Sequence, residues 1–167
     1  SEAAYNSNQL NLPNTQLKFL DWYETVNFYD FQITVFPAAH YQKADKNGNP
    51  DCLSFLVKNN DTKLFFWGDG IIYDEIIDNL SIHHFDMFFA PINGRDWFRE
   101  KEGIIGNINS YELAKICSKL NIDSVVPNHY DMFDYNSELP SHFINYLNKF
   151  APTQKFLLMK QGEVVIL

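Results

Sequence analysis

The sequence predicts an α/β domain, and three observations support this fold class. Short apolar runs, among them ITVF, LFFW and DMFFA, are rich in β-branched and aromatic residues, as buried strands are. Residues 110–120 and 140–150 instead repeat apolar residues every three or four positions, which is typical of helices packed on one face. With 167 residues, 46% of them hydrophobic, the chain can bury a core as one domain.

Composition and charge exclude several classes of partner. A formal net charge of −8 disfavours nonspecific attraction to nucleic acid or to an anionic membrane. Cys52 and Cys117 form no metal-ligand or redox spacing, so both are predicted to be reduced thiols. No apolar run approaches the ~18 residues of a membrane span. The sequence therefore predicts a cytoplasmic protein that binds neither nucleic acid nor a membrane.

The strands are predicted from runs and turn residues. Residues 1–16 are polar and aperiodic and are expected to form an arm or loop, whereas residues 17–167 form the domain. LKFLDWYE and NFYDFQITVF predict adjacent strands. DCLSFLVK and TKLFFWG predict a hairpin, because Asn59, Asn60 and Asp61 between them tolerate turn conformations. KFLLMK and EVVIL, on either side of a Gln-Gly turn, predict a final hairpin.

Three helices are predicted. The segment 110–120 begins near a Ser or Asn cap and places Leu113, Ile116 and Cys117 on one face. The segment 140–150 has its proline in the first turn, where proline is allowed. A short helix is expected over residues 73–80.

Polar groups follow four of the predicted strands. ITVF leads to His40, LFFW to Asp69, DMFFA to Asn93, and SVV to His129 and Asp131. In sheets covered by helices, loops beyond the carboxyl ends of the strands converge on one edge. We therefore expect His40, Asp69 and His129 to lie near one another.

These residue types suit a metal-dependent hydrolase. Imidazole and carboxylate groups are ordinary ligands of zinc, manganese and iron, and one carboxylate can bridge two cations. A bound cation lowers the pKa of its water toward ~7, which yields a hydroxide for attack on carbonyl or phosphoryl centres. His40, Asp69 and His129 are the predicted metal ligands, with Asp69 also catalytic. An aspartate in a GDG turn can instead be a turn former and a histidine after a strand can be structural, so both interpretations stay open.

The same residues carry a family resemblance. HYQ after a strand, GD at the end of an apolar strand, and VVPNHYDMF after a later strand resemble the later half of the metallo-β-lactamase superfamily. Within it, the sequence is most similar to L-ascorbate-6-phosphate lactonase and related metal-dependent hydrolases. The resemblance implies an αββα sandwich with a zinc or manganese centre on one edge. By position, His40 resembles the ligand of the first metal, Asp69 the bridging carboxylate, and His129 the ligand of the second metal.

The resemblance also implies a substrate region. Asp131, Arg95, Arg99 and Asn107 lie in loops that are near the substrate in such enzymes. The implied substrate is a small molecule, such as a sugar phosphate or a lactone. The arginines have a second explanation as solvated surface charges.

One superfamily motif has no match. Members carry an earlier H-x-H-x-D-H segment, whereas His83-His84-Phe85-Asp86 has another spacing and is predicted to be a helix-to-strand loop. The chain is therefore expected to be the C-terminal portion of an αββα domain whose N-terminal part is missing. Three explanations are open. The missing part was lost by cleavage or is not included in this sequence, it is supplied by another chain, or the protein is a naturally shortened form that binds no metal. We favour the first explanation.

Three functions follow from these observations. The first is hydrolysis of a lactone, ester or phosphoester bond by metal-activated hydroxide. The second is a noncatalytic interaction domain that associates through an exposed sheet face, for example as a homo-oligomer. The third is a small-molecule-binding module that uses the same loops without a metal.

Overall fold

A computed structural model describes residues 20–40, 43–44, 46–48 and 52–166. The predicted arm at residues 1–16 lies outside these residues. Within the described ranges, no helix has both the length and the apolar character needed to cross a membrane.

The described strands form one seven-stranded sheet with strand order β1 to β7. Strands β1 to β4 pair antiparallel, and strands β4 to β7 pair parallel. The strands are β1 (Thr25–Phe28), β2 (Phe31–Ala38), β3 (Cys52–Asn59), β4 (Thr62–Phe66), β5 (His84–Pro91), β6 (Asn121–Asn128) and β7 (Lys155–Phe156). The predicted α/β class is confirmed.

Helices connect the parallel strands. They are α1 (Ile76–Ser81), α2 (Trp97–Lys101), α3 (Ser110–Cys117) and α4 (Pro140–Phe150), and a 3-10 turn covers Asp134–Asn136. Helix α3 begins at a capping box in which Asn109 and Glu112 each bond the backbone N–H of the other. Apolar side chains of α1, α3 and α4 join one buried cluster with the sheet.

The two faces of the sheet differ in burial. On the helix-covered face, Phe65 and Phe88 are paired across β4 and β5 and are both 0% exposed. On the opposite face, the next pair, Phe66 and Phe89, stacks with ring centroids 4.7 Å apart and is only half-buried. The described residues therefore form one sheet with helices on one face and leave an apolar face partly open.

The helix at 140–150 and the hairpin of β3 and β4 are confirmed. The other two predicted helices are shorter in the structure, at Ile76–Ser81 and Ser110–Cys117. The predicted loop at His83–Asp86 is partly wrong, because β5 begins at His84 and pairs with β6 from there.

The predicted first strands are wrong in their bounds. Residues 20–24 of LKFLDWYE are not in a strand, and residues 17–19 lie outside the described ranges. NFYDFQITVF is split into β1 and β2 by a turn at Tyr29 and Asp30. Tyr29 has φ of 51°, a left-handed conformation that is uncommon for residues other than glycine and that the sequence therefore does not predict.

The predicted final hairpin is also wrong. The Gln161–Gly162 turn is present, because Glu163 N–H donates to the Lys160 carbonyl over 3.0 Å. Only Lys155–Phe156 forms a strand, and it pairs parallel to β6. Val164 and Ile166 are 83% and 94% exposed, so their apolar pattern has no partner surface in the described chain.

Candidate metal site

The candidate site lies at the carboxyl edge of the parallel strands. Asp69 follows β4, Asn93 follows β5 and His129 follows β6. Because these strands run parallel, their carboxyl ends meet at one edge and bring the following loops together.

Two glycines let the Asp69 loop pass close to other strands. A Cβ on Gly68 would lie 2.6 Å from the Leu53 carbonyl oxygen, and Gly68 has φ of +69°. A Cβ on Gly70 would lie 2.9 Å from the carbonyl oxygen of Ala39. Both glycines are therefore required for backbone packing, and this packing fixes where the Asp69 backbone lies.

Asp69 and His129 form the centre of the site. Asp69 Oδ1 lies 3.4 Å from His129 Nε2, and 45% and 20% of the two side chains are exposed. This separation is long for a hydrogen bond. Two ligands that are each about 2.1 Å from a tetrahedral cation lie roughly 3.4 Å apart, so the pair has the spacing of two ligands of one metal.

Two imidazole nitrogens in this region are buried without a hydrogen-bond partner in the described structure. They are Nδ1 of His129 and Nε2 of His40. A buried nitrogen without a partner is costly, and both a metal and a polar ligand can satisfy one.

The structure does not place His40 in a metal-holding group with the other two. His40 lies beside the Asp69 loop, because Ala39 and Ile71 form an antiparallel bridge. However, no three His, Cys, Asp or Glu side chains of the described residues are arranged to hold a metal ion. The close approach of Asp69 and His129 is seen in the structure, and the role of His40 as a ligand stays a prediction.

Asn107 holds the Asp69 loop in place. Its side-chain N–H groups donate to Asp69 Oδ1 over 3.2 Å and to Asn93 Oδ1 over 3.0 Å. Its Oδ1 accepts from the Gly70 N–H over 2.7 Å. Asn107 is 1% exposed and bonds to these protein groups, and its implied place in a loop near a substrate stays a prediction. Its contacts orient the carboxylate.

The hydrogen bonds of Asn107 continue through Asn93 and Asn136 to Arg99, and we call the three asparagines the amide chain. Asn93 donates to Asn136 Oδ1 over 3.1 Å, and Arg99 Nη1 donates to the same oxygen over 2.6 Å. Arg99 Nη1 also donates to the Asn93 carbonyl over 2.9 Å, and Nε pairs with Asp96. The backbone N–H and the side chain of Arg99 lower the pKa of the Asp96 carboxyl. Sequence reasoning missed Asn136, because no motif or spacing marks it.

The remaining predicted residues lie in two clefts. Asp131 lines the strand-end cleft, a space of about 810 Å³ that also contains Asp69, His129 and Lys160. Arg95 is exposed and lines a second space of about 580 Å³ together with Arg99. We call this second space the arginine cleft; Asn93 lies on its wall and connects it to the amide chain.

The chain is therefore an α/β protein with one sheet that carries a carboxylate and an imidazole at its carboxyl edge. The sequence matches the profile of the beta-lactamase superfamily domain over residues 2–130. The chain therefore belongs to this superfamily, as the resemblance of the strand-end motifs implied.

Known relatives agree with this assignment. A UPF0173 metal-dependent hydrolase of Caldivirga maquilingensis is 28% identical over 136 residues, which are 81% of this chain and 53% of that protein. The chain spans about half the length of the curated relatives it matches.

Solved structures share the fold. Igni18, described as a novel metallo hydrolase of Ignicoccus hospitalis, superposes with a TM-score of 0.72 at 19% identity, covering 98% of this chain and 65% of that one. An isothiocyanate hydrolase from Delia radicum gut bacteria superposes with a TM-score of 0.68 at 12% identity, covering 99% and 63% of the two chains. At these identities the likeness shows the fold alone.

Proposed function

We propose that this chain forms part of the active site of a metal-dependent hydrolase, in which Asp69 and His129 are two of the metal ligands. The observation that carries the proposal is the 3.4 Å separation of Asp69 Oδ1 and His129 Nε2 at the carboxyl edge of the sheet. The relatives named as metal-dependent hydrolases support the same activity.

The described residues match a metal in kind and spacing but not in number. A catalytic zinc site usually has three protein ligands, and Asp69 with His129 gives two. We propose that further protein ligands complete the set. The unpartnered Nε2 of His40 makes it a further candidate ligand if its side chain reorients.

Each residue has a proposed role. A bound zinc or manganese ion would supply an activated hydroxide and polarise the substrate oxygen. Asp69, oriented by Asn107, would hold the ion together with His129. Asp131 and Lys160, on the wall of the strand-end cleft, would contact a small substrate with a lactone, ester or phosphoester bond. Membership of the lactonase-like branch is part of this proposal.

Metal affinity tests the proposal. Titration with zinc and with manganese should show binding that His129→Ala weakens by at least roughly 100-fold, more than the loss of an outer partner costs. His84→Ala is the matched control, because His84 lies at the start of β5 and pairs with Asp123 at 3.0 Å. Equal affinities in the wild type and His129→Ala would refute the proposal.

One observation favours a second candidate function, an interaction domain that binds a second copy of the chain. Phe55, Phe66 and Phe89 are neighbours on the partly open sheet face, and all three are half-buried. Apolar surface of this kind is usually covered by association. Sedimentation at micromolar concentration should then give a dimer; a monomer that binds zinc through His129 would favour the hydrolase alone.

A further inference from the structure

We infer that the substrate of the proposed hydrolase site is an uncharged carboxylic ester whose alkyl or aryl group lies against Phe89, Met132 and Met159. We call these three residues the methionine wall; all of them line the strand-end cleft. The cleft has a volume of about 810 Å³, which is within the range of small-molecule sites. This inference deepens the proposed function: the reaction rests on that function, whereas the apolar binding surface does not.

Two of the chain's three methionines line this cleft. Met87 on β5 is 3% exposed, whereas Met132 is 66% exposed and Met159 is half-buried. A methionine side chain is flexible and polarisable, so it adapts to ligands of irregular shape, and methionine is common at surfaces that bind varied apolar groups. Phe89 adds a half-buried ring near the end of β5. Met87 therefore packs in the core, and the methionine wall has apolar surface that a ligand can cover.

An aromatic pair extends this apolar surface to the candidate metal ligand His129. The centroid of the Phe133 ring lies 6.4 Å from that of His129, and Phe133 stacks on Tyr135 with centroids 5.6 Å apart. Phe133 and Tyr135 are 42% and 65% exposed, and they follow Met132 in the loop after β6. Exposed apolar side chains that cluster in this way are typical of ligand-binding grooves. An apolar group on this surface would lie beside the proposed metal site.

The charged side chains of the cleft favour an uncharged substrate. Among the described residues that line it, Asp69, Asp131 and Lys160 have a formal charge at pH 7. Asp69 belongs to the proposed metal site, and the formal charges of Asp131 and Lys160 cancel. Glu163 Oε2 accepts from the Lys160 N–H over 2.9 Å and adds a further carboxylate beside this lysine. A phosphate elsewhere in the substrate would therefore lose hydration without meeting an excess of positive charge.

NMR titration of the metal-free protein, labelled with carbon-13 at its methionine methyl groups, tests the methionine wall. The uncharged probe 1-hexanol should shift the signals of Met132 and Met159 and leave that of Met87 unchanged, because Met87 is buried. Met132→Leu and Met159→Leu assign the signals. The affinity should rise roughly threefold to fourfold for each CH₂ group added between 1-butanol and 1-hexanol. Hexyl phosphate should bind no tighter than 1-hexanol.

Substitutions on the methionine wall locate the binding. Met132→Ser and Met159→Ser should each weaken 1-hexanol binding roughly fivefold or more, because each removes apolar area from the cleft, and both should keep the zinc affinity of the wild type. Ile82→Ser is the matched control. Ile82 is 81% exposed directly after α1 and does not line the cleft, so its substitution should leave the affinity for 1-hexanol unchanged.

Three outcomes would overturn this inference. The first is zinc binding in a protein whose Met132 and Met159 signals do not respond to 1-hexanol, which would leave the proposed function standing. The second is hexyl phosphate binding roughly tenfold or more tighter than 1-hexanol, which would show an anion site. The third is a pair of signals that move on dilution of the protein but not with 1-hexanol, which would assign the wall to contact between two copies. A response to 1-hexanol without zinc binding would refute the proposed function alone.

Discussion

Replacing Asn107 with alanine is expected to lower the free energy of unfolding by about 3 kcal/mol. The substitution removes three hydrogen bonds at a position that is 1% exposed. It leaves the Gly70 N–H and Asn93 Oδ1 buried without this partner, and each unsatisfied group costs roughly 1–3 kcal/mol. Asp69 contributes less, because 45% of its side chain is exposed and water can replace the lost bond.

Denaturation by urea, monitored by circular dichroism, measures this loss. For a chain of this size, about 3 kcal/mol corresponds to a fall in Tm of roughly 6–12 °C. Asn148→Ala is the matched control, because Asn148 is exposed on α4, and it should change stability by less than about 0.5 kcal/mol. The same Asn107→Ala protein should bind zinc roughly 10- to 100-fold more weakly, since Asp69 loses its orienting partner.

A small effect of Asn107→Ala would refute this reasoning. If its stability matched that of Asn148→Ala, the amide chain would contribute nothing to the fold. If stability fell while zinc affinity stayed unchanged, Asn107 would be structural and would not position Asp69.

Three further outcomes follow from the structure. Gly68→Ala should lower the free energy of unfolding by several kcal/mol, because the added Cβ would lie 2.6 Å from the Leu53 carbonyl oxygen. Gly162→Ala is the control: Gly162 has φ of +81° but no atom lies within 4 Å of the added Cβ, so the loss in urea denaturation should be only about 1 kcal/mol. Burial raises the pKa of the Cys117 thiol to about 12, so iodoacetamide at pH 8 should modify Cys117 only after unfolding, as intact mass will show. Burial lowers the pKa of His83 from its usual 6.5, so the contribution of its neutral form to stability is full above pH 6.5 and is lost as the pH falls below that value. His83→Gln should remove this part of the pH dependence, as urea denaturation at several pH values will show.

The polar residues that follow β4 and β6 could be predicted from the sequence. Apolar runs that stop at glycine or proline are local features of the sequence. They therefore indicate where β4 and β6 end and which polar groups follow them. Parallel strands then place Asp69 and His129 at one edge, where they are 3.4 Å apart. The metal-binding role of this pair stays a prediction.

Other features depended on contacts that no local pattern shows. Tyr29 forms a turn in a left-handed conformation, and the apolar C-terminal segment forms no hairpin because it has no pairing partner among the described strands. Asn107 was predicted to lie in a loop near a substrate, and the structure adds that the path of this loop buries its side chain between Gly70 and Asn93.

The sequence by itself determined the α/β class, the placement of the candidate ligands after strands, and the superfamily. Periodicity and chain-breaking residues act over a few positions, so they can be read without coordinates. Only the tertiary structure decided that Asp69 lies 3.4 Å from His129, that a buried amide chain orients Asp69, and that both arginines share a cleft with Ser110. These arrangements join residues far apart in the chain, and their geometry depends on how the loops pack against one another across the sheet edge.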